Sequence, residues 1–149
     1  MADYLSKKLT PYISREYTTK DTFTFVSELS SIDTTENFLI SYDVTSLFTN
    51  IPLNETIDIA VNIIKENEPE FKIDKSDLRK LFVFATSQSQ FTFKNEMYDQ
   101  IDGVAMGSPL GPVLANLFMG HFEGKWLENY KQDKPSFYNR FVDDIFCIF

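Results

Sequence analysis

The chain has few of the residues on which several common kinds of site depend. Its 149 residues include one cysteine, Cys147, and one histidine, His121. A single cysteine excludes an intramolecular disulfide and a zinc site built from cysteines, and it is typical of a reducing, intracellular setting. A single histidine excludes any mechanism that needs more than one imidazole ring.

Positive charge is also scarce. Fourteen Lys and Arg stand against 22 Asp and Glu, which gives a formal net charge of −8. A protein that grips nucleic acid unaided carries a basic stripe that neutralises phosphates. The charge balance therefore argues against a self-sufficient nucleic-acid binder.

Long apolar runs are absent as well. No run approaches the length of about 20 residues that a membrane-spanning helix needs. The first eight residues, MADYLSKK, have no apolar core of the kind found in secretory signals. We therefore expect an intracellular protein without a membrane partner, in either the nucleus or the cytoplasm.

Aromatic residues, by contrast, are abundant. The 15 Phe, the 7 Tyr and a hydrophobic content of 43% indicate one folded domain over 1–149. Asp21, Asn54 and Asp74 are predicted N-caps of helices. The predicted helices cover 2–13, a segment opening at Asp21, 55–67, a segment after Asp74, and 111–130, and the predicted strands cover 38–44, 90–94, 97–101 and a hairpin over 137–149. This order predicts an α+β fold in which helices cover one face of an antiparallel sheet.

Two apolar faces follow from helical spacing. The helix opening at Asp21 is expected to carry Phe23, Val26 and Leu29 on one face. The long helix carries a stripe at i, i+3, i+4 spacing, formed by Val113, Leu114, Leu117, Phe118, His121 and Phe122.

An adjacent pair of carboxylates, Asp143-Asp144, lies inside the apolar run 141–149. The run favours a buried hairpin, in which like charges repel unless a cation neutralises them. Oxygen ligands suit a divalent cation, so the pair indicates a metal site at a hairpin tip. The alternative is an exposed β-turn, because Asp is a common turn residue.

A third carboxylate, Asp43, ends the predicted strand 38–44, just before the loop 45–52. Taken alone it is most simply a turn residue. If the strand end and the hairpin tip converge, however, the three carboxylates could hold two Mg²⁺ ions for an in-line phosphoryl displacement.

The segment between these sites, 103–112, contains three glycines and two prolines and is therefore irregular. Gly111 is the predicted N-cap of the long helix and Pro112 its first residue. The glycines would allow the backbone to approach a phosphate at the helix N-terminus, although the segment could equally be a simple connector.

These blocks resemble, in order, three motifs of the palm region of reverse transcriptases, and most closely those of Penelope-like retroelements. Residues 41–52, SYDVTSLFTNIP, resemble motif A; residues 103–119, GVAMGSPLGPVLANLFM, resemble motif B; and residues 138–144, YNRFVDD, resemble motif C. The resemblance implies a polymerase-palm-like sheet and an RNA-directed DNA polymerase. That enzyme would join a dNTP to a primer 3′-hydroxyl on an RNA template.

The resemblance also implies the roles of particular residues. Asp43, Asp143 and Asp144 would be the catalytic carboxylates, and together with the Val44 carbonyl they would bind two Mg²⁺ ions, for which Mn²⁺ could substitute. The residues expected to bind substrate are Phe48, which would exclude a 2′-hydroxyl, Met106 and Gly107 beside the nascent base pair, and Val142 near the primer end.

Two positions depart from the common pattern. Many reverse transcriptases have Gln-Gly where this chain has Met106-Gly107, and Ser-Pro where it has Gly111-Pro112. The resemblance further implies that basic fingers motifs, a thumb and an endonuclease lie outside the chain, so that 1–149 is a partial reverse transcriptase domain. Their absence would explain the charge of −8 and would leave the chain without tight grips on nucleic acid.

Two other functions compete with this interpretation. A catalytically inactive palm-like remnant would serve as a binding or scaffold module. A different two-metal enzyme, such as a nuclease, would hydrolyse without dNTPs, and Phe48 argues against it because a nuclease needs no sugar gate.

Overall fold

The computed structural model describes residues 1–87, 90–130 and 134–149. The described elements, in chain order, are α1 (Ala2–Leu9), a 3₁₀ turn (Thr10–Tyr12), α2 (Thr22–Leu29), β1 (Leu39–Asp43), α3 (Leu47–Asn50), α4 (Leu53–Asn67), α5 (Lys75–Thr86), β2 (Gln90–Phe93), β3 (Glu96–Asp99), α6 (Gly111–Asn129), β4 (Phe137–Phe141) and β5 (Asp144–Ile148). The chain divides into two compact units, one of residues 1–13 and 46–118 and the other of residues 14–45 and 119–149.

The first unit is built on α1, α4 and α5, which pack against one another. Its buried side chains include Leu5, Leu9, Ile57, Ala60, Ile64, Leu78 and Phe82. The predicted cap of α5 is confirmed, because the Asp74 carboxylate accepts a hydrogen bond from the Asp77 amide at 2.8 Å. The predicted Asn54 cap of α4 is wrong: the helix begins earlier, behind Pro52, whose fixed φ of −69° suits a helix start.

The same unit contains the two-stranded hairpin of β2 and β3, whose side chains are exposed. Its turn is formed by Lys94 and Asn95, with φ of 51° and 65°. The sequence predicts that Asn95-Glu96 forms the turn between the strands 90–94 and 97–101, which is one residue too late. Glu96 instead pairs with Phe93, which leaves two residues in the left-handed region that tight hairpin turns require.

The second unit is an antiparallel sheet of order β1-β5-β4 with helices packed against it. The predicted α+β architecture with an antiparallel sheet is confirmed. Strand β5 is the central strand, and Cys147 and Ile148 are buried in it. Burial raises the pKa of the Cys147 thiol, which is typical of an unreactive core cysteine.

Helix α2 lies against the sheet through its aromatic side chains. The predicted Asp21 cap is confirmed, since its carboxylate accepts from the Thr24 amide at 2.8 Å. The predicted face is wrong at Phe23 and Val26, which are 89% and 53% exposed, whereas Phe25 packs edge-on against Phe146 at 5.4 Å between ring centroids. Phe25 and Leu29, four residues apart, form the inner side of this helix.

Helix α6 begins at Gly111 itself, so the predicted N-cap is the first helical residue. Within the first unit its buried side chains include Leu114 and Leu117, as the stripe predicted. Within the second unit the stripe fails at Phe122, which is 53% exposed; the buried positions there are Met119, Glu123 and Leu127, four residues apart. In the part of the chain that is described, no helix is both long enough and apolar enough to cross a membrane.

Candidate active site

The tip of the β4–β5 hairpin is a two-residue turn formed by Val142 and Asp143. Phe141 and Asp144 are the last paired residues on either side of it. A two-residue hairpin turn needs a positive φ at its first residue, and Val142 has φ of +58°. A β-branched residue in this region costs on the order of 1–3 kcal/mol, and such strain is concentrated at functional sites.

The strand pairing brings the motif A and motif C carboxylates to one end of the sheet. Asp43 and Asp144 are directly opposite partners in the β1–β5 ladder. The Val44 amide donates a hydrogen bond to the carbonyl oxygen of Asp143 at 2.9 Å. The predicted convergence of strand end and hairpin tip is therefore present in the backbone.

The expected burial of the Asp143-Asp144 pair is wrong. Asp43 and Asp144 are exposed and Asp143 is half-buried. The apolar run becomes a buried strand only at Cys147 and Ile148, because the hairpin tip reaches the surface at the end of the sheet. Acidic side chains at this tip are therefore accessible to a ligand from solvent.

The chemistry of these donors fits Mg²⁺, which binds carboxylate and carbonyl oxygens and keeps open positions for phosphate. Within residues 1–87, 90–130 and 134–149, however, no three His, Cys, Asp or Glu side chains are close enough to hold an ion between them. The backbones of Asp43, Asp143 and Asp144 are thus neighbours, while their carboxylates are not gathered around a common point.

A buried ion pair joins the β4–β5 hairpin to helix α6. Arg140 of β4 and Glu123 of α6 have side-chain exposures of 0% and 1%. The Arg140 Nε and Nη2 atoms donate to the two Glu123 carboxylate oxygens at 2.5 and 3.1 Å, which is the two-pronged geometry that arginine makes with carboxylates. The Arg140 Nη1 atom donates to the Val142 carbonyl oxygen at 2.8 Å, so the pair reaches the turn itself.

Tyr138 completes this buried cluster. Its hydroxyl donates to Glu123 Oε1 at 2.8 Å. Burial first, and then the nearby Glu123 carboxylate, raise the pKa of Tyr138, so its hydroxyl stays a donor. The sequence predicted no role for Glu123 or Arg140. Two signals were nevertheless present: Glu123 is spaced four residues from Met119 and from Leu127 in α6, and Arg140 lies within the predicted hairpin.

The sheet face that carries Asp144 also borders an open cavity of about 240 Å³. Its lining includes Ser41, Asn139, Phe141 and Asp144. Asn139 is 8% exposed, and among the described residues its side-chain oxygen has no hydrogen-bond partner. The side chain therefore offers a buried acceptor next to the acidic tip.

The predicted substrate-binding residues Phe48, Met106 and Gly107 belong to the first unit. The Phe48 carbonyl accepts a hydrogen bond from the Val104 amide at 2.8 Å. Gly103, with φ of +72°, is packed so closely that an added Cβ would lie 2.4 Å from that same carbonyl oxygen. This contact brings Phe48 together with the glycine-rich segment.

Met106 and Gly107 lie at the surface of the same segment. Met106 is 74% exposed, and Gly107 has φ of +95° with no atom near its missing side chain. Both are accessible, as residues that contact a substrate must be.

Two comparisons with known proteins bear on the family of this chain. Residues 2–149 match the family described as reverse transcriptase (RNA-dependent DNA polymerase). A search of curated proteins found no match. The family match extends over nearly all of the sequence, including the strand end, the glycine-rich segment and the hairpin tip, and the chain therefore belongs to the reverse transcriptase family.

Proposed function

We propose that the chain is the catalytic palm region of an RNA-directed DNA polymerase. The reaction would be attack of a primer 3′-hydroxyl on the α-phosphate of a dNTP, directed by an RNA template. One observation carries the proposal: Asp43 faces Asp144 across the β1–β5 ladder while the Val44 amide bonds to Asp143, in a chain of this family.

Asp43, Asp143 and Asp144, with the Val44 carbonyl, would hold two Mg²⁺ ions, or Mn²⁺ in their place. When bound, the ions would stabilise the attacking and the leaving oxygen of an in-line displacement. The side chains of Asp43 and Asp144 are exposed, and rotation about their χ angles is the movement that would bring both carboxylates to a shared ligand. The three carboxylates would orient the reacting oxygens, because they would fix the positions of the bound cations.

Selection of the sugar would fall to Phe48, whose ring would meet a 2′-hydroxyl. Its backbone is fixed by the Val104 hydrogen bond and by the close approach of Gly103, so the aromatic ring starts from a rigid base. Met106 and Gly107 would lie beside the nascent base pair, and Val142 near the primer end.

We further propose a retroelement of the Penelope-like group as the source of this activity. The support is the sequence of the motifs, with Met106-Gly107 and Gly111-Pro112 in motif B. In such a protein, basic segments outside these residues would supply the grip on template and primer that a chain of net charge −8 lacks.

The test is primer extension by the polymerase that carries this chain, with RNA template, DNA primer, dNTPs and Mg²⁺. Asp143→Asn keeps the shape of the side chain and removes its charge, so we expect the extension rate to fall at least about 100-fold. Asp102→Asn, an exposed carboxylate outside the site, is the matched control and should extend at the wild-type rate. Wild-type extension by Asp143→Asn, or hydrolysis of the nucleic acid without dNTPs, would contradict the proposal.

A further inference from the structure

We propose that the buried Glu123–Arg140 pair is a positioning device for the acidic hairpin tip. The inference rests on the proposed function and assigns to it two residues that touch neither substrate nor metal. Glu123 orients Arg140, Arg140 orients the Val142 carbonyl, and the peptide that follows carries Asp143.

Burying the Glu123–Arg140 ion pair costs free energy. Removing two charges from water is expensive, and a buried ion pair is commonly no more stabilising than apolar residues of the same size. Arg140 and Glu123 are both fully enclosed. Fold stability alone therefore gives little reason for charges at these two positions.

The Arg140 guanidinium contacts Glu123 and the turn at the same time. Arginine presents several N–H donors in one rigid plane. In this chain, Nε and Nη2 are occupied by the Glu123 carboxylate, and Nη1 donates to the Val142 carbonyl at 2.8 Å. An apolar side chain could fill the same space but could not hold that carbonyl oxygen.

The conformation that Arg140 holds is the strained backbone of Val142. Val142 has φ of +58°, which a β-branched residue avoids unless its surroundings impose it. The direction of its carbonyl fixes the plane of the peptide that leads into Asp143, because the peptide unit is planar. The bond from Arg140 therefore sets the direction from which Asp143 projects.

Arg140 and Glu123 are themselves anchored by further hydrogen bonds. Its backbone amide donates to the Tyr17 carbonyl at 2.8 Å, and its carbonyl accepts from the Thr19 amide at 3.1 Å. Tyr138 adds a third hydrogen bond to the Glu123 carboxylate. Both ends of the pair thus start from fixed positions, as the residues that support a metal or catalytic site must.

The experiment replaces both charges together, with Glu123→Leu and Arg140→Met in one variant of the full chain. Because the pair is removed whole, no lone buried charge remains, and the midpoint of thermal unfolding should fall far less than in Glu123→Leu or Arg140→Met alone. The same double exchange at the exposed Asp58–Arg79 ion pair of the first unit, Asp58→Leu with Arg79→Met, is the control for the chemical change itself.

Two readouts follow for each variant: backbone ¹⁵N order parameters of Val142 and Asp143, and affinity for Mn²⁺. We expect the order parameters at the tip to fall from about 0.85 to below about 0.6 in the Glu123–Arg140 variant. Mn²⁺ affinity should weaken about 10–100-fold, the usual effect of losing a supporting residue behind a metal site. The control should change neither.

A folded double variant with wild-type order at the tip and wild-type Mn²⁺ affinity would overturn the inference. Arg140→Lys reports on the same two quantities if the double variant does not fold, since one ammonium cannot replace both the two-pronged contact and the carbonyl bond. If the wild type binds no Mn²⁺, the proposed function loses its metal site, and the order parameters alone still decide whether the pair positions the turn.

Discussion

The Val44 amide donates to the Asp143 carbonyl oxygen at 2.9 Å, which ties the end of β1 to the turn between β4 and β5. Residues 99 positions apart in the sequence are thereby joined at the same end of the sheet as the Asp43–Asp144 pair. Main-chain bonds therefore hold the end of β1 beside the acidic tip, and the side chains of Asp43 and Asp144 remain exposed.

Val142 gives the first prediction. At its positive φ a glycine variant should be more stable than an alanine variant, which is the reverse of the usual order. Val142→Gly and Val142→Ala both remove the side chain, but only glycine adopts φ of +58° without strain. The glycine variant should be more stable to urea than the alanine variant by about 1 kcal/mol. At Val83, inside α5, the order should be the ordinary one, with alanine more stable by about 1 kcal/mol. The same order at both sites would contradict the strained turn.

The contrast between two glycines of motif B gives the second prediction. Gly103→Ala would place a Cβ 2.4 Å from the Phe48 carbonyl oxygen and 2.5 Å from Thr49 Cα. Backbone strain and collision together should lower the free energy of unfolding by about 3 kcal/mol. Gly107→Ala also has a positive φ but meets no atom, so it should cost only about 1 kcal/mol. Equal losses in denaturant titrations would show that the Phe48 contact is not formed.

Helix caps and the individual strands could be predicted because their causes are local. Asp21 and Asp74 precede apolar helical patterns, and the structure shows both carboxylates accepting amide hydrogen bonds. The apolar strands 38–44 and 137–149 likewise contain β1, β4 and β5. These features depend on neighbours within a few residues of each other.

The features that could not be predicted depend on tertiary partners. Phe25, and not Phe23, faces inward because Phe137 and Phe146 lie where α2 meets the sheet. Glu123 and Arg140 are 17 residues apart, and the sequence alone does not show that they pair with each other. A Glu between Met119 and Leu127 at four-residue spacing was nevertheless a visible signal of a buried ionic partner.

Glu68 gives a prediction about pH. Hydrogen bonds from Lys8 and then from Tyr12 hold the pKa of Glu68 below its ordinary value of 4.5. A lowered folded-state pKa means that the contribution to stability is complete above the unfolded-state pKa and is lost as pH falls through the folded-state pKa. Glu68→Gln should therefore be less stable than the wild type at pH 7, and the difference should vanish in acid. Glu70→Gln, at an exposed position nearby, should follow the wild-type profile; a Glu68 difference independent of pH would contradict the ion pair.

Phe48 gives a prediction about sugar selection. Phe48→Ala would open the space that a 2′-hydroxyl needs, so the ratio of NTP to dNTP incorporation should rise by about tenfold or more. Phe48→Tyr keeps the bulk of the ring and should retain the preference for dNTPs. Single-nucleotide incorporation with each triphosphate measures both ratios, and an unchanged preference in the alanine variant would remove Phe48 from the site.

Metal binding at the acidic tip is tested most directly by a Mn²⁺ titration of the chain, followed by electron paramagnetic resonance of the free ion. We expect saturable binding by the wild type and by Asp102→Asn. Binding should weaken about 100-fold when Asp43→Asn or Asp144→Asn removes one charge from the acidic tip. Equal binding by all four proteins would show that the ion does not sit at Asp43, Asp143 and Asp144, and would contradict the assignment of these carboxylates as the catalytic metal site.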